Sequence, residues 1–494
     1  MLLVLDGQGA LHRKLYVALR SAILDGRLAA GVRLPSSRTL ADDLGLARNT
    51  VLAALEQLTA EGYVFARRGS GTYVERQLPV DMRVAPPPTA APSAKPTRAA
   101  PSQPRLSRAA RAAMGLGRVP SWETRQQPRS IDFRYGDPSY QDLPLASWAR
   151  LYSRHMRRAS ALELAYRAPG GDPMLRAELA AYLSRARGVR CRPEQVIVTA
   201  GSQQAIDLSL RVLVEPGDRV GIEDPHYPGF RVALRAARAR IVPIPVDADA
   251  IRVDRVVKQR GLRLLCVTPS HQFPTGALLP VAKRLALLEW AAKTNAYILE
   301  DDYDGEFRYA GRPLESLQAL DLNQRVLYVG TFSKIMFPAL RLGYVVVPDA
   351  VVEPFLHLKA ATDTGSAGVE QRVLAEFMRS GQFERHVRRN RLRNAARHAA
   401  LLNALDARLG GRVRFGRAPA GLHVWLEVPG LSPQRGNSLV ASARAEGLTL
   451  HTGATCHVHA PRCANFILGY ASLDERQIER GVVRLARALD RLTR

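Results

Sequence analysis

Cysteine is scarce: four in 494 residues. Cys191, Cys266, Cys456 and Cys463 are scattered and show no C-x-x-C spacing. That pattern excludes a disulfide scaffold and a cysteine-based metal site, and reads as free thiols in a reducing cytoplasm. Long apolar runs are missing as well. No stretch approaches the roughly 18 consecutive apolar residues of a membrane span. The start, MLLVLDGQGALHRKL, is broken by Asp6 and has neither a basic leader nor a cleavage site, which argues against a secretory signal. Acidic residues are in deficit, 45 against 71 Lys and Arg, a net charge of +26. An excess of that size suggests a polyanionic partner. Its distribution does not locate one. Residues 1–78 carry ten basic and seven acidic side chains, 79–130 nine and two, and the remaining +16 lies beyond.

What is present begins with a compact unit over 11–76. LHRKLYVALRSAILDG has apolar residues at helical spacing and stops at Gly26. Pro35 interrupts. Ser36 or Ser37 can cap the next helix, SRTLADDLG, which Gly45 closes. A short turn leads into ARNTVLAALEQLTAEG. This spacing is that of a helix-turn-helix, whose second helix enters the major groove of DNA. YVFARRGSGTYV then reads as two strands around a Gly-Ser-Gly turn, a wing. Arg48, Asn49 and Thr50 open the second helix, where side chains meet base edges and N–H groups meet phosphates. Arg38 heads the preceding helix, and Arg67 and Arg68 flank the wing turn. A small protein-docking module is the alternative.

Residues 78–130 are rich in Pro, Ala and Arg, which predicts a semi-extended linker. From 131 to 494, short Val/Ile/Leu-rich segments (EQVIVTAG, DRVGIEDP, RLLCVTPS, AYILEDDY, RVLYVGTFSK, RLGYVVVP) alternate with helical patterns. That alternation predicts an α/β fold with a largely parallel sheet, and ligands in such sheets sit beyond the carboxyl ends of strands. The chemically capable residues fall there. Gly201, Ser202 and Gln203 enter a helix and can cradle a phosphate. Tyr227 follows one strand, Asp301, Asp302, Tyr303 and Asp304 another, and Thr331, Ser333 and Lys334 a third, with Arg341 behind. A phosphate cradle, a buried acid, aromatic surfaces and a lysine are the requirements of a pyridoxal phosphate (PLP) site. Each has a plainer alternative: a helix cap, a solvated acidic turn or hard-cation site, a surface ion-pair lysine.

The motifs RAPGGDPMLRAELAAYL, VTAGSQQAIDL, IEDPHYPGFR, VTPSHQFPTG, LEDDYDGEFRY and GTFSKIMFPALRLGY resemble fold-type-I, aspartate-aminotransferase-like PLP proteins. LPSSRTLADDLG, ARNTVLAALEQL, EGY and GSGTYV resemble the winged helix-turn-helix of GntR regulators. Together they resemble the MocR/GabR/PdxR family of bacterial transcriptional regulators, over nearly everything but the linker. The resemblance implies a DNA-binding head over 1–77, a linker over 78–130, and a PLP-binding effector and dimerisation part over 131–494 with a small α+β subdomain from about 380. It implies Lys334 as the Schiff-base lysine, Asp301 as the pyridine-nitrogen carboxylate and Tyr303 near the ring hydroxyl. Tyr227 falls at the ring face or substrate side, and Ser202, Gln203, Thr331, Ser333 and Arg341 form the phosphate cradle. Arg38, Arg48 and Thr50 match DNA-contacting positions. The implied partners are operator DNA, PLP with or without an amine or amino-acid effector, and a second copy in a head-to-tail homodimer.

Two departures stand out. Aminotransferases usually carry Asn before Pro-Thr-Gly. Here Phe273 takes that place, with His271 or Gln272 as substitutes. Amino-acid-handling relatives carry an arginine in the last strand that clamps the substrate carboxylate. Here NFILGYASL puts Ile467 or Leu468 there, with Arg462 the nearest upstream. The missing clamp argues against ordinary transamination and favours sensing PLP itself, or a ligand held another way.

Overall fold

A computed structural model describes residues 5, 9–67, 69–76, 106–114, 130–311 and 315–493. Two compact units emerge, one up to Gln103 and one from Pro104. In the first, helices Leu11–Leu24, Ser37–Leu44 and Arg48–Ala60 precede an antiparallel hairpin, Val64–Arg67 with Gly71–Val74. The punctuation lies where the residues demand it. Ser36 Oγ accepts the Thr39 N–H at 3.1 Å, and Gly45 ends that helix at φ 64°. Leu15, Leu19, Leu40, Val51, Leu55 and Leu58 fill the core, and Tyr63 and Val74 close it from the hairpin side. Arg68 lies outside the described residues.

The second unit is built on an eight-stranded sheet. In spatial order its strands are 196–199, 343–346, 326–331, 297–302, 262–267, 219–224, 240–247 and 250–251. Neighbouring pairs are parallel except at Gly343–Val346, antiparallel to both neighbours, and at the short edge strand Ala250–Ile251. Burial on both faces explains why these strands read as continuous aliphatic runs rather than alternating ones. A second sheet carries the C-terminal subdomain: 414–415, 423–428, 464–469 and 451–452, all antiparallel.

Two local features were not anticipated. Arg108–Met114 forms a short helix inside the expected extended linker. Its sequence, RAARAAM, is alanine-rich, and Ser107 Oγ accepts the Ala110 N–H. Ile131–Asp132 pairs in parallel with Leu448–Thr449, and Ile131 and Phe133 enter the C-terminal core with Leu401, Val424, Leu468 and Val482. The chain therefore stitches its entry segment into the subdomain it completes about 300 residues later.

Candidate functional site

Three strands, 219–224, 297–302 and 326–331, end on one side of the sheet, and the sequence-expected residues meet beyond them. Lys334 lies in the turn after Thr331. Its Nζ donates to the Gly136 carbonyl at 2.8 Å. Burial pushes its pKa down, while Asp137, Asp301 and Asp304 oppose that. A depressed, half-buried amine is the form that can attack a carbonyl carbon. Gly136 sits at φ 89°, and a Cβ there would fall 2.8 Å from Nζ, so the close approach requires glycine.

Asp301 is 4% exposed, and its Oδ1 has no hydrogen-bond partner. Burial, then Asp302 and Asp304, push its pKa up to about 7, against the pull of Lys334. An orphaned buried carboxylate oxygen is costly unless a donor meets it. A protonated pyridine nitrogen is such a donor. Asp302, the next residue, points to the other face and binds Arg187 at 2.7 Å and the Tyr328 hydroxyl at 2.5 Å, all buried. Tyr303 lies beyond, its hydroxyl 2.8 Å from His271 Nδ1. Of the two substitutes considered for the absent Asn, His271 is the one facing Tyr303. Gln272 turns away, its Nε2 donating to the Pro225 carbonyl at 2.8 Å and to Glu223 at 3.2 Å.

The residues expected to cradle a phosphate are partly brought together. Gly201 (φ 99°) precedes the helix Ser202–Leu213, whose first-turn N–H groups lack intrahelical acceptors. Arg341 donates from Nη2 to the Ala200 carbonyl at 2.7 Å, which brings its guanidinium over Gly201. The Ser333 N–H donates to Thr331 Oγ1 at 3.2 Å. Gln203 instead donates to the Gly229 carbonyl at 3.0 Å, tying the cradle helix to the segment after Tyr227. A residue the sequence reading missed is Gln204. It accepts the Ala200 N–H at 2.7 Å and donates to Asp363 at 2.9 Å, and Asp363 in turn binds the buried Lys359.

The wall facing this group is apolar. Phe273, Trp425, Cys456 and Ile467 form one buried cluster, with Tyr135, Tyr227 and Tyr303 against it. Ile467 is fully buried, paired across the sheet with Trp425 and His451. Arg462 is exposed on the loop before that strand. The loop itself is docked. Asp224, at the end of the strand leading to Tyr227, accepts the Val458 and His459 N–H groups at 2.9 and 3.2 Å and His459 Nδ1 at 2.9 Å. Arg231 donates to the His457 carbonyl at 2.8 Å, and the His226 N–H to the Cys456 carbonyl at 2.7 Å.

Among the described residues one His/Asp group has metal-like spacing: His271, Asp304 and His423, with ligand atoms within 4.8 Å of one another. Hydrogen bonds already engage all three. His271 Nδ1 lies 2.9 Å from Asp304 Oδ2, and His423 Nε2 donates to the Pro274 carbonyl at 3.1 Å. Burial and His271 push the His423 pKa down to about 3, so it is neutral at physiological pH.

In the first unit, Arg38, Arg48, Asn49 and Arg67 are exposed, and Thr50 is half-buried. Arg48 and Asn49 open the third helix, the end that enters a groove in helix-turn-helix proteins.

Comparison with known proteins bears on both units. Residues 11–74 match the model for bacterial regulatory proteins of the gntR family, and 129–485 that for aminotransferase class I and II. The chain is 36% identical to the probable rhizopine catabolism regulatory protein MocR of Rhizobium meliloti, over 97% of this chain and 93% of that one. It is 34% identical to the HTH-type transcriptional regulator TauR of Rhodobacter capsulatus, over 98% and 97%. Among solved structures it is similar to LysN, the α-aminoadipate aminotransferase of Thermus thermophilus, complexed with N-(5'-phosphopyridoxyl)-L-leucine. The TM-score is 0.69 at 30% identity, covering 74% of this chain and 93% of that one.

Proposed function

Because the chain belongs to the MocR/GabR family, in which a gntR-type head joins an aminotransferase class I and II domain, we propose that it is a PLP-dependent transcriptional regulator. The observation that carries this reading is the coexistence, in one chain, of an exposed helix opening at Arg48 and the Lys334–Asp301 pair. Bound there, PLP supplies an aldehyde that a primary amine can condense with and a ring that withdraws electrons. Lys334 holds the aldehyde carbon. Asp301 keeps the ring nitrogen protonated, Tyr227 and Tyr303 border the ring, and Ser202, Thr331, Ser333 and Arg341 answer the phosphate. Gln203 acts less directly, by holding the cradle helix against Gly229. Arg38, Arg48, Asn49 and Thr50 address operator DNA, with the wing at Arg67 on the backbone. PLP, alone or with an amine effector, shifts the balance between two conformations of a head-to-tail homodimer, by as much as its affinities for the two differ.

A working aminotransferase is the second reading, favoured by the intact Lys334–Asp301 pair. The apolar pair Ile467 and Leu468, where a carboxylate clamp is expected, counts against it. The deciding experiment is operator binding by the full chain with and without PLP, in wild type and in Lys334→Ala. A PLP response present in wild type and absent from the variant supports the regulator. A PLP-indifferent affinity, together with steady turnover of amino acids, overturns it.

A further inference from the structure

Tyr303 is held more elaborately than a ring-side tyrosine requires. Its hydroxyl lies 3.0 Å from the His271 carbonyl, to which it can donate its one hydrogen. His271 Nδ1 faces two acceptors, that phenol oxygen at 2.8 Å and Asp304 Oδ2 at 2.9 Å. With a carboxylate as one of these partners, the geometry favours the ring proton on Nδ1 and leaves Nε2 as the bare nitrogen. Both His271 and Asp304 are buried, at 4% and 2% side-chain exposure. Two glycines wall the imidazole in. A Cβ on Gly276 would lie 3.0 Å from Nε2, and one on Gly421 would lie 2.0 Å from Cε1, and both glycines have positive φ. Gly421 belongs to the C-terminal subdomain. Its N–H donates to the Phe307 carbonyl at 2.8 Å, and its carbonyl accepts the Tyr470 hydroxyl at 2.6 Å. The ring of His423 lies over Tyr303 at 6.3 Å and 26°.

We propose that Asp304 and His271 form a positioning dyad that acts through Tyr303 to set the proton equilibrium of the cofactor linkage at Lys334. The dyad takes the place left by Phe273. This inference rests on the reading of the site as a PLP site. Asp304 Oδ2 and the phenol oxygen share one imidazole nitrogen, His271 Nδ1, and a carboxylate so close to the phenol favours the protonated, cationic form of whatever Tyr303 faces. The other groups bordering the pair are Asp301 from the same strand end, Glu223 from a nearby strand, Lys334, His423, His398 and Tyr470. Burial keeps His398 and His423 uncharged at neutral pH, with pKa values lowered to about 4 and about 3. Asp304 is thus the carboxylate on the His271 side, and Gly421 of the C-terminal subdomain packs against the imidazole.

The test is the pH titration of the visible absorbance of the PLP-loaded full chain. Removing the charge in Asp304→Asn lowers the midpoint by about one unit or more, a tenfold change in the proton equilibrium. His271→Gln lowers it in the same direction. The double variant shifts no further than Asp304→Asn alone, because the two act as one unit. Single-variant midpoints equal to wild type, or fully additive shifts, overturn the dyad. The unloaded chain supplies an independent arm. Nitrogen-15 shifts of His271 report the Nδ1–H tautomer in wild type and its loss in Asp304→Asn, and an Nε2–H tautomer in wild type overturns the proposal. A wild-type chain that never acquires a visible band refutes the PLP site while leaving this second arm decisive for the dyad.

Discussion

Replacing Ile467 by arginine tests the apolar wall, since of the two residues at the expected clamp position, Ile467 and Leu468, it is the one in the buried cluster facing the site. Ile467 is fully buried beside Phe273, Trp425 and Cys456, none of which is anionic. Removing a buried isoleucine costs about 2–3 kcal/mol of burial. A guanidinium left there without a partner adds about 3–5 kcal/mol. The sum, about 5–8 kcal/mol, is comparable to the whole stability of an ordinary domain, about 5–15 kcal/mol. Ile467→Arg should therefore unfold far below wild type in a thermal scan, whereas Ile467→Leu, which conserves volume, should stay within about 1.5 kcal/mol. An α-amino acid whose carboxylate pairs with the new arginine should recover part of the loss, about 2.7 kcal/mol at roughly a hundredfold excess over its Kd. The wild type should show no such carboxylate-dependent gain. If Ile467→Arg is as stable as wild type without ligand, a carboxylate or water must already reach this point, and the case against amino-acid clamping falls.

Four further expectations follow from the same geometry. Lys334→Ala should abolish the visible band of the purified protein; a retained band would remove Lys334 from the linkage. Arg48→Ala should weaken operator binding by about 1–3 kcal/mol at fixed salt in a titration against labelled DNA, and unchanged affinity would take Arg48 off the reading surface. Asp302→Asn strips buried Arg187 of its carboxylate and should cost about 3–5 kcal/mol, seen as a lower unfolding midpoint; a loss below about 1 kcal/mol would mean that Ser270 and Gly305 suffice as partners. Asp301, its pKa raised to about 7, favours the folded unloaded chain when protonated. Its contribution is full below the ordinary carboxylate value of about 4 and disappears as pH rises through about 7. Asp301→Asn should flatten the fall of unfolding temperature across that window, and an unchanged slope would contradict the raised pKa.

The parts of the site that could be read from sequence are those whose chemistry is local. Ser36 and Gly45 bracket a single short helix, and Lys334 closely follows its strand. In each case the residue type and its immediate neighbours carry the physics, and the structure places them in the elements expected. Burial on both faces also made the parallel strands legible, since continuous Val/Ile/Leu runs have few other homes. The parts that could not be read depend on long-range meetings. The choice between His271 and Gln272 turned on Glu223, Asp304 and Gly421, contributed by three separate segments. Nothing in the spacing of Ile131 announces a pairing with Leu448. Gln204 looked like an ordinary helix residue until Asp363 came within reach. Such contacts are set by chain packing rather than by propensity, and a single sequence carries no periodic trace of them.

The docking of the loop after Ala454 onto Asp224 has a mechanical meaning. The same short stretch that presents Tyr227 to the site is bonded, on either side of the tyrosine, to the C-terminal subdomain. A ligand that displaces the tyrosine must either drag that subdomain along or rupture the bonds to Asp224, His226 and Arg231. At about 0.5–1.5 kcal/mol for each ordinary hydrogen bond, rupture sets a threshold of several kcal/mol. A ligand shifts the tyrosine only if it favours the displaced arrangement by more than that cost. The latch gives the domain the character of a detent, a device that holds one position until the load is large enough and then lets go.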